Sequence, residues 1–186
     1  NSISKIFESF IRNFMTTLLL VIIYIAFISL GLPDSMLGAA WPVMQAELGL
    51  PLAGAGLVSM IVSGCTIISS LFSGFLIRRL GTGKLMLISV LMTALALLGY
   101  SYSQTYIWLC LIAVPLGLGA GAVDAALNDF VARNFAARHM SWLHSFWGVG
   151  ATTGPLIMAF MLKHTGHWQM GYRTIAIIQF VLVAIL

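Results

Sequence analysis

Gly31-Leu32-Pro33-Asp34-Ser35-Met36-Leu37 and Gly121-Ala122-Val123-Asp124-Ala125-Ala126-Leu127 share the frame Gly-x-x-Asp-x-x-Leu, and each stands inside a long apolar run. A charged side chain near the middle of a bilayer costs about 2.5–3.5 kcal/mol on insertion scales, so such carboxylates face a protein interior or a wet cavity rather than lipid. Two of them in one frame point to a duplicated unit built around a polar pathway. The surrounding chain of 186 residues is 60% hydrophobic and 8% charged, with a mean hydropathy of +1.02, outside the balance of a soluble domain. The fold class is therefore an all-α membrane protein.

Working outward from the first frame, the apolar run from Met15 to Leu32 resumes after Asp34 as far as Met44, which makes one span bent at Gly31 and Pro33. It is too long for the apolar region of a secretory signal, about 7–15 residues. Residues 53–77, 83–103, 106–131 and 141–162 are each long enough, at about 1.5 Å per residue, to cross a hydrocarbon core of about 30 Å. A sixth span begins near Tyr172 and is expected either to be cut short at Leu186 or to continue beyond it, since a span needs roughly 20 residues. Residues 1–14 set Ile3, Ile6, Phe7, Phe10, Ile11 and Phe14 at helical spacing among Lys5, Glu8 and Arg12, the pattern of a helix lying in the membrane interface. Residues 15–186 then form the six-helix bundle.

The charges set the topology. Across six alternating crossings, Lys5, Arg12, Arg78, Arg79, Lys84, Arg133 and Arg138 fall on one side and only Lys163 and Arg173 on the other. The positive-inside rule puts the N-terminus in the cytoplasm, in a plasma or inner membrane. Folding the chain at the shared frame sets spans 1–3 against spans 4–6 in opposite orientations, which makes two inverted three-helix repeats. Arg78-Arg79-Leu80-Gly81 after span 2 is echoed by Lys163-His164-Thr165-Gly166 after span 5. Inverted repeats of this kind build secondary transporters, with the substrate site near the midplane.

Other motifs read as structure. Gly117, Gly119 and Gly121 in span 4, and Gly148, Gly150 and Gly154 before Pro155 in span 5, are small residues whose spacing lets helix backbones approach closely in lipid. A dinucleotide-binding loop needs a preceding strand and an exposed turn instead. Gly81-Thr82-Gly83-Lys84 is no phosphate loop, because Arg78 and Leu85 stand where that motif needs Gly and Ser or Thr. The nine Lys and Arg form no basic face for nucleic acid, and Cys65 and Cys110 are small hydrophobes within apolar runs. His164 and His167 lack further ligands, so neither a metal nor a cofactor is expected, nor is a nucleophile with its base.

The polar residues within the spans carry the function. Asp124 and Asn128, four apart, project from one helical face, which points to a transport cavity or to a hydrogen bond between helices. Asp34 follows a proline that removes a backbone donor and loosens the helix where a solute meets exposed carbonyls. Span 5 opens with His139, Ser141, Trp142, His144, Ser145 and Trp147. Trp and His at that depth serve as interface anchors, with His144 and Trp147 reaching deepest and His144 placed for a proton route.

After span 2, Gly74-Phe75-Leu76-Ile77-Arg78-Arg79-Leu80-Gly81-Thr82-Gly83-Lys84 resembles the signature of the major facilitator superfamily, Gly-x-x-x-Asp-Arg-x-Gly followed by basic residues. With the broken first span, the glycine-rich fourth and Gly154-Pro155 in the fifth, the whole chain is similar to the N-terminal six-helix half of a twelve-helix transporter of that superfamily. Asp34, Asp124 and Asn128 resemble most the fucose-permease type of proton-linked sugar symporters, in which acidic residues on these two helices serve substrate binding and proton coupling. The resemblance makes Gly74, Arg78, Arg79, Gly81 and Lys84 a gating loop. Arg78 stands where the signature has its aspartate, and Asp129, ahead of Arg133, is placed to supply the missing carboxylate from the neighbouring helix.

The expected function is alternating-access transport of a small, sugar-like polar solute by proton-coupled symport. Protons, the bilayer and a missing C-terminal half or a second copy are the partners. The rivals are a proton-driven drug or metabolite antiporter, since Gly154-Pro155 resembles the antiporter signature although Leu156 to Ala159 lack its glycine pair, a membrane-embedded enzyme using both aspartates as acid and base, and a channel.

Overall fold

The computed structural model describes residues 2–185. Every long element is a helix: α1 (Ser2–Gly31), α2 (Met36–Leu48), α3 (Gly54–Leu80), α4 (Thr82–Tyr100), α5 (Tyr106–Asn134), α6 (Arg138–Thr165) and α7 (Trp168–Ile185). With α1 and α2 joined as one broken span, six segments are long and apolar enough to cross a membrane. The chain is a multi-pass, all-α membrane protein, as its composition requires, because in hydrocarbon a helix satisfies every backbone polar group within its own segment.

The break falls where the sequence places it. From Leu32 to Ser35 the chain leaves the α-helix, and the amides of Asp34 and Met36 bond the Gly31 and Pro33 carbonyls as successive turns. Other boundaries differ. α3, α5 and α6 each run about one turn beyond their apolar cores, carrying Arg78 and Arg79, Arg133, and Lys163 and His164 in last turns where the helix dipole favours cations. α7 starts at Trp168 rather than near Tyr172. Gly166 caps α6 in the left-handed region at φ 73°, and the His167 amide donates to the Thr165 hydroxyl at 3.2 Å, so the reversal is tight enough for a helix to restart at once. α1 runs unbroken from Ser2 through the expected interfacial segment, with Phe7, Phe10, Phe14 and Met15 exposed and, among the described side chains, the first buried one at Ile23. The side chains at positions 1–6 and 9, part of the interfacial face read from sequence, lie outside the described residues.

The bundle has two ends. The connections α3–α4 and α5–α6 gather Arg78, Arg79, Lys84, Arg133 and Arg138 at a basic end, while α2–α3, α4–α5 and α6–α7 meet at the other. There the Glu47 carboxylate accepts from Trp168 Nε1 at 2.7 Å and Gln169 Nε2 at 3.0 Å, tying α2 to α7.

Glycine contacts set the helix spacing. A Cβ on Gly117 or Gly121 would strike the Val62 or Thr66 carbonyl of α3, one on Gly150 or Gly154 the Ile28 or Leu32 carbonyl of the first span, and one on Gly31 the Trp147 carbonyl. Gly119 meets the Ser89 carbonyl of α4 in the same way. These are backbone-to-backbone approaches that only a residue without a side chain permits. Gly148 is different, with open space around it. Deeper in the bundle, Thr93 Oγ1 and Gln179 Oε1 lie 2.9 Å apart, and Gln179 Nε2 donates to the Ser29 carbonyl at 3.0 Å. That buried link joins α4, α7 and α1.

A cleft between the two frames

The α1–α2 break delivers Asp34 to the centre of the bundle. Pro33 fixes the turn, the Gly31–α6 contact brings α6 alongside, and Trp147 Nε1 donates to Asp34 Oδ2 at 2.8 Å. Asp124 arrives by a different route. α5 continues straight through it, and Asn128, one turn on, donates through Nδ2 to both the Asp124 carbonyl and Asp124 Oδ1 at 3.0 Å. Asn128 Oδ1 is buried and has no partner among the described residues, an acceptor left free beside the carboxylate.

Asp34, Asp124, His144 and Trp147 all line one cleft of about 330 Å³, together with Leu30, Thr66 and Ala120. Four of the five side chains singled out from the sequence thus open on one space, and Asn128 stands behind Asp124 as its hydrogen-bond partner. His144 also sets its ring edge-on to buried Phe27, with centroids 6.4 Å apart. His139 differs from its neighbours in the cluster: its Nδ1 is hydrogen-bonded to the Tyr24 hydroxyl at 2.6 Å, and it serves to hold α1 against α6.

A second cavity, of about 420 Å³, adjoins the first. Asp34, Thr66 and Ala120 line both, and Ser59, Ser63, Tyr100 and Tyr172 extend the second toward the Glu47 end. These hydroxyl residues were not singled out from the sequence. A signal for them existed, because Ser59, Ser63, Thr66, Ser70 and Ser73 recur at helical spacing along α3. Its lower part closes the α3–α5 seam, with Thr66, Ser69 and Ser70 donating to the Gly117, Leu118 and Gly121 carbonyls at 3.2, 2.6 and 3.2 Å.

At the basic end, Ser73, Gly74, Ile77, Arg78, Asp129 and Arg133 surround a cavity of about 240 Å³. Asp129 is paired with Arg133 on its own helix at 2.8 Å, so the carboxylate lies across the cavity from Arg78 while bonded to another arginine. Of the remaining loop residues, Arg79 lies 5.0 Å over the Phe75 ring, Gly81 ends α3 at φ 77°, and Lys84 is exposed in the first turn of α4. Among the described residues, no three His, Cys, Asp or Glu side chains gather as a metal site requires.

Comparison with known proteins gives an independent view. Residues 23–186 match the profile of the Major Facilitator Superfamily. Synaptic vesicle glycoprotein 2A from Rattus norvegicus, Bos taurus and Homo sapiens is 25% identical to the chain over 146 residues, covering 76% of this chain and 20% of each relative. The chain thus spans about a fifth of the length of these curated relatives. Among solved structures, a mutant of the peptide transporter POT in complex with sulfate superposes with a TM-score of 0.69 at 18% identity, covering 91% of this chain and 36% of that one. At that identity the likeness speaks for the fold.

Proposed function

The chain belongs to the Major Facilitator Superfamily, and from that premise we propose that it forms the N-terminal six-helix half of a secondary active transporter, not an enzyme, that carries a small, sugar-like solute by proton-coupled symport. The observation that carries this reading is the shared cleft: Asp34 and Asp124, from two different spans, line one space with His144 and Trp147, and among the described residues no Lys or Arg lines it. A carboxylate in such a space can exchange protons with either side as access alternates, and two of them can divide coupling from solute contact. A site between two halves is closed only by the second, so a C-terminal half or a second copy covers this face. The matched α3–α5 and α1–α6 glycine contacts support the inverted repeat, since exchanging spans 1–3 with 4–6 turns one pair into the other. The charge split supports a cytoplasmic basic end in a plasma or inner membrane. Labelling of a Thr82→Cys variant by an impermeant thiol reagent added outside intact cells would reverse that orientation.

The same acidic cleft favours a second reading, proton-driven export of an organic cation. Reconstitution of the complete protein separates the two. With the outer solution acidic, symport accumulates labelled L-fucose or D-glucose inside the vesicles above the outer concentration and only equilibrates it without the gradient. Export of labelled tetraethylammonium under the same gradient, with no accumulation of sugar, rejects the symport reading.

A further inference from the structure

α1 is longer than the bundle it belongs to. The Tyr24 hydroxyl and His139 Nδ1 lie 2.6 Å apart, and α6 begins at Arg138, so Tyr24 marks the level of the basic end. Everything before it, back to Ser2, stands beyond that end as one unbroken helix, a length of about 33 Å at the usual rise per residue. From Phe7 to Val21 every described side chain except Leu20 is exposed, so the bundle does not cover this segment.

The two faces of α1 change differently along its length. Phe7, Ile11, Phe14, Leu18, Val21 and Ile25 recur at helical spacing and form one exposed stripe, which Phe10 and Met15 widen. The opposite face carries Ile23, Phe27 and Leu30, all buried in the bundle, and Leu30 lines the cleft. Past the basic end that same inward face turns polar, at Thr16 and Arg12. The inward side thus leaves protein for water near Leu20, while the outward side stays apolar throughout. Since the stripe points away from the cleft, the half that closes the cleft does not cover it, and Val21 and Ile25 face lipid.

A straight helix would hold Phe7, Phe10 and Phe14 in water. An outward bend turns the same stripe down onto the leaflet and leaves Arg12 and Thr16 on top. The place for it is Thr16–Thr17, whose hydroxyls donate to the Arg12 and Asn13 carbonyls at 2.8 and 2.9 Å. On the convex, solvent side of a curved helix the backbone bonds lengthen, and a back-bonding threonine gives such a carbonyl a second donor. No Gly or Pro lies between Ser2 and Leu30 to bend the helix elsewhere.

Charge selects the surface. Arg12, Arg78, Arg79, Lys84, Arg133 and Arg138 gather at this end, against Glu8 and an Asp129 already paired with Arg133. Anionic headgroups are drawn to such a rim, whereas a second copy would bring it against its like. The stripe is also wider than the two-position seam along which helices pair. We propose that the segment from Phe7 to Leu19 bends outward at Thr16–Thr17 and docks on a leaflet of anionic phospholipid, with Phe7, Phe10 and Phe14 seated below the headgroups. It anchors the first span whatever solute is carried.

The test uses nitroxide spin labels on single cysteines of the complete protein, with Cys65→Ala and Cys110→Ala removing the native thiols. Phe14→Cys reports from the stripe and Asn13→Cys from the polar side, in vesicles of phosphatidylcholine mixed with phosphatidylglycerol and of phosphatidylcholine alone. Collisions with oxygen, which concentrates in lipid, are compared with collisions with a neutral nickel chelate, which stays in water. In the mixed vesicles the oxygen-to-nickel ratio should be about threefold or more higher at Phe14→Cys than at Asn13→Cys, as for a face sunk in the interface. That ratio should fall in phosphatidylcholine alone, and also when Thr16→Ala and Thr17→Ala are added. Equal ratios at the two positions, with free access to nickel, leave the segment in water and overturn the docking. Low access to both reagents at Phe14→Cys, or spin–spin broadening between copies, assigns the stripe to protein and overturns it as well. A ratio unmoved by loss of phosphatidylglycerol overturns the charge selection, and one unmoved by the threonine pair overturns the bend.

Discussion

Asp34 and Asp124 occupy the same seven-residue frame, yet the chain carries them in different ways. At Asp34 the helix is interrupted from Leu32 to Ser35, and the carboxylate is held by an indole from another span, Trp147 of α6. At Asp124 the helix is continuous, and the holding group is Asn128 on the same helix, one turn along. The difference is one of what each carboxylate senses. Separation of α6 from the first span breaks the Asp34–Trp147 bond, whereas rigid-body motion of α5 moves Asp124 and Asn128 together. The hydrogen bond of Asp34 thus depends on the placement of α6, whereas that of Asp124 lies within α5, although both carboxylates open on one cleft.

The largest effects are expected where the frames are alike. Gly31 and Gly121 open them, and each sits against a carbonyl of the facing helix, Trp147 or Thr66. Gly31→Leu and Gly121→Leu should each prevent accumulation of folded protein, since overpacking costs about 1–3 kcal/mol even where neighbours can shift and these neighbours are backbone. Yield of monodisperse protein and its thermal midpoint measure this; normal behaviour of one variant alone would break the equivalence of the frames.

A smaller effect should separate them. Trp147→Phe keeps an aromatic ring and removes the donor to Asp34, whose carboxylate is exposed to the cleft. A loss on the order of 1 kcal/mol, roughly fivefold, is expected in solute KM, below the usual value of a charged hydrogen bond because solvent screens it. The smallest effect belongs to Asn128→Ala, which removes a bond within one helix and should lower gradient-driven uptake roughly two- to threefold with KM unchanged. A KM effect of Asn128→Ala larger than that of Trp147→Phe would invert the comparison.

Much of this was legible in the sequence because a bilayer leaves few choices. Apolar length fixed six spans, Pro33 marked the break, and the cost of burying charge in lipid brought Asp34 and Asp124 to one space. What escaped were groups whose meaning depends on a partner from elsewhere in the chain. Nothing in the sequence singles out Tyr100 and Tyr172, whose stacking follows only from the packing of α4 on α7. The sixth span is expected only from near Tyr172, which leaves out the first turn of α7 until Trp168 is found buried against Glu47. Asp129 was legible as a carboxylate near the gating loop, but hydropathy says nothing of its choice of Arg133 as partner.

The account turns on the two carboxylates acting in coupling, and the direct measurement is solute uptake by Asp34→Asn and Asp124→Asn in vesicles, with and without a proton gradient. Asparagine keeps the size and part of the hydrogen bonding and removes the titrating proton. Accumulation against the concentration gradient should fall at least tenfold in both variants, about 1.4 kcal/mol or more of lost driving force, while downhill exchange persists. Accumulation equal to the parent's in both variants would show that neither carboxylate couples protons, and would contradict the account at its centre.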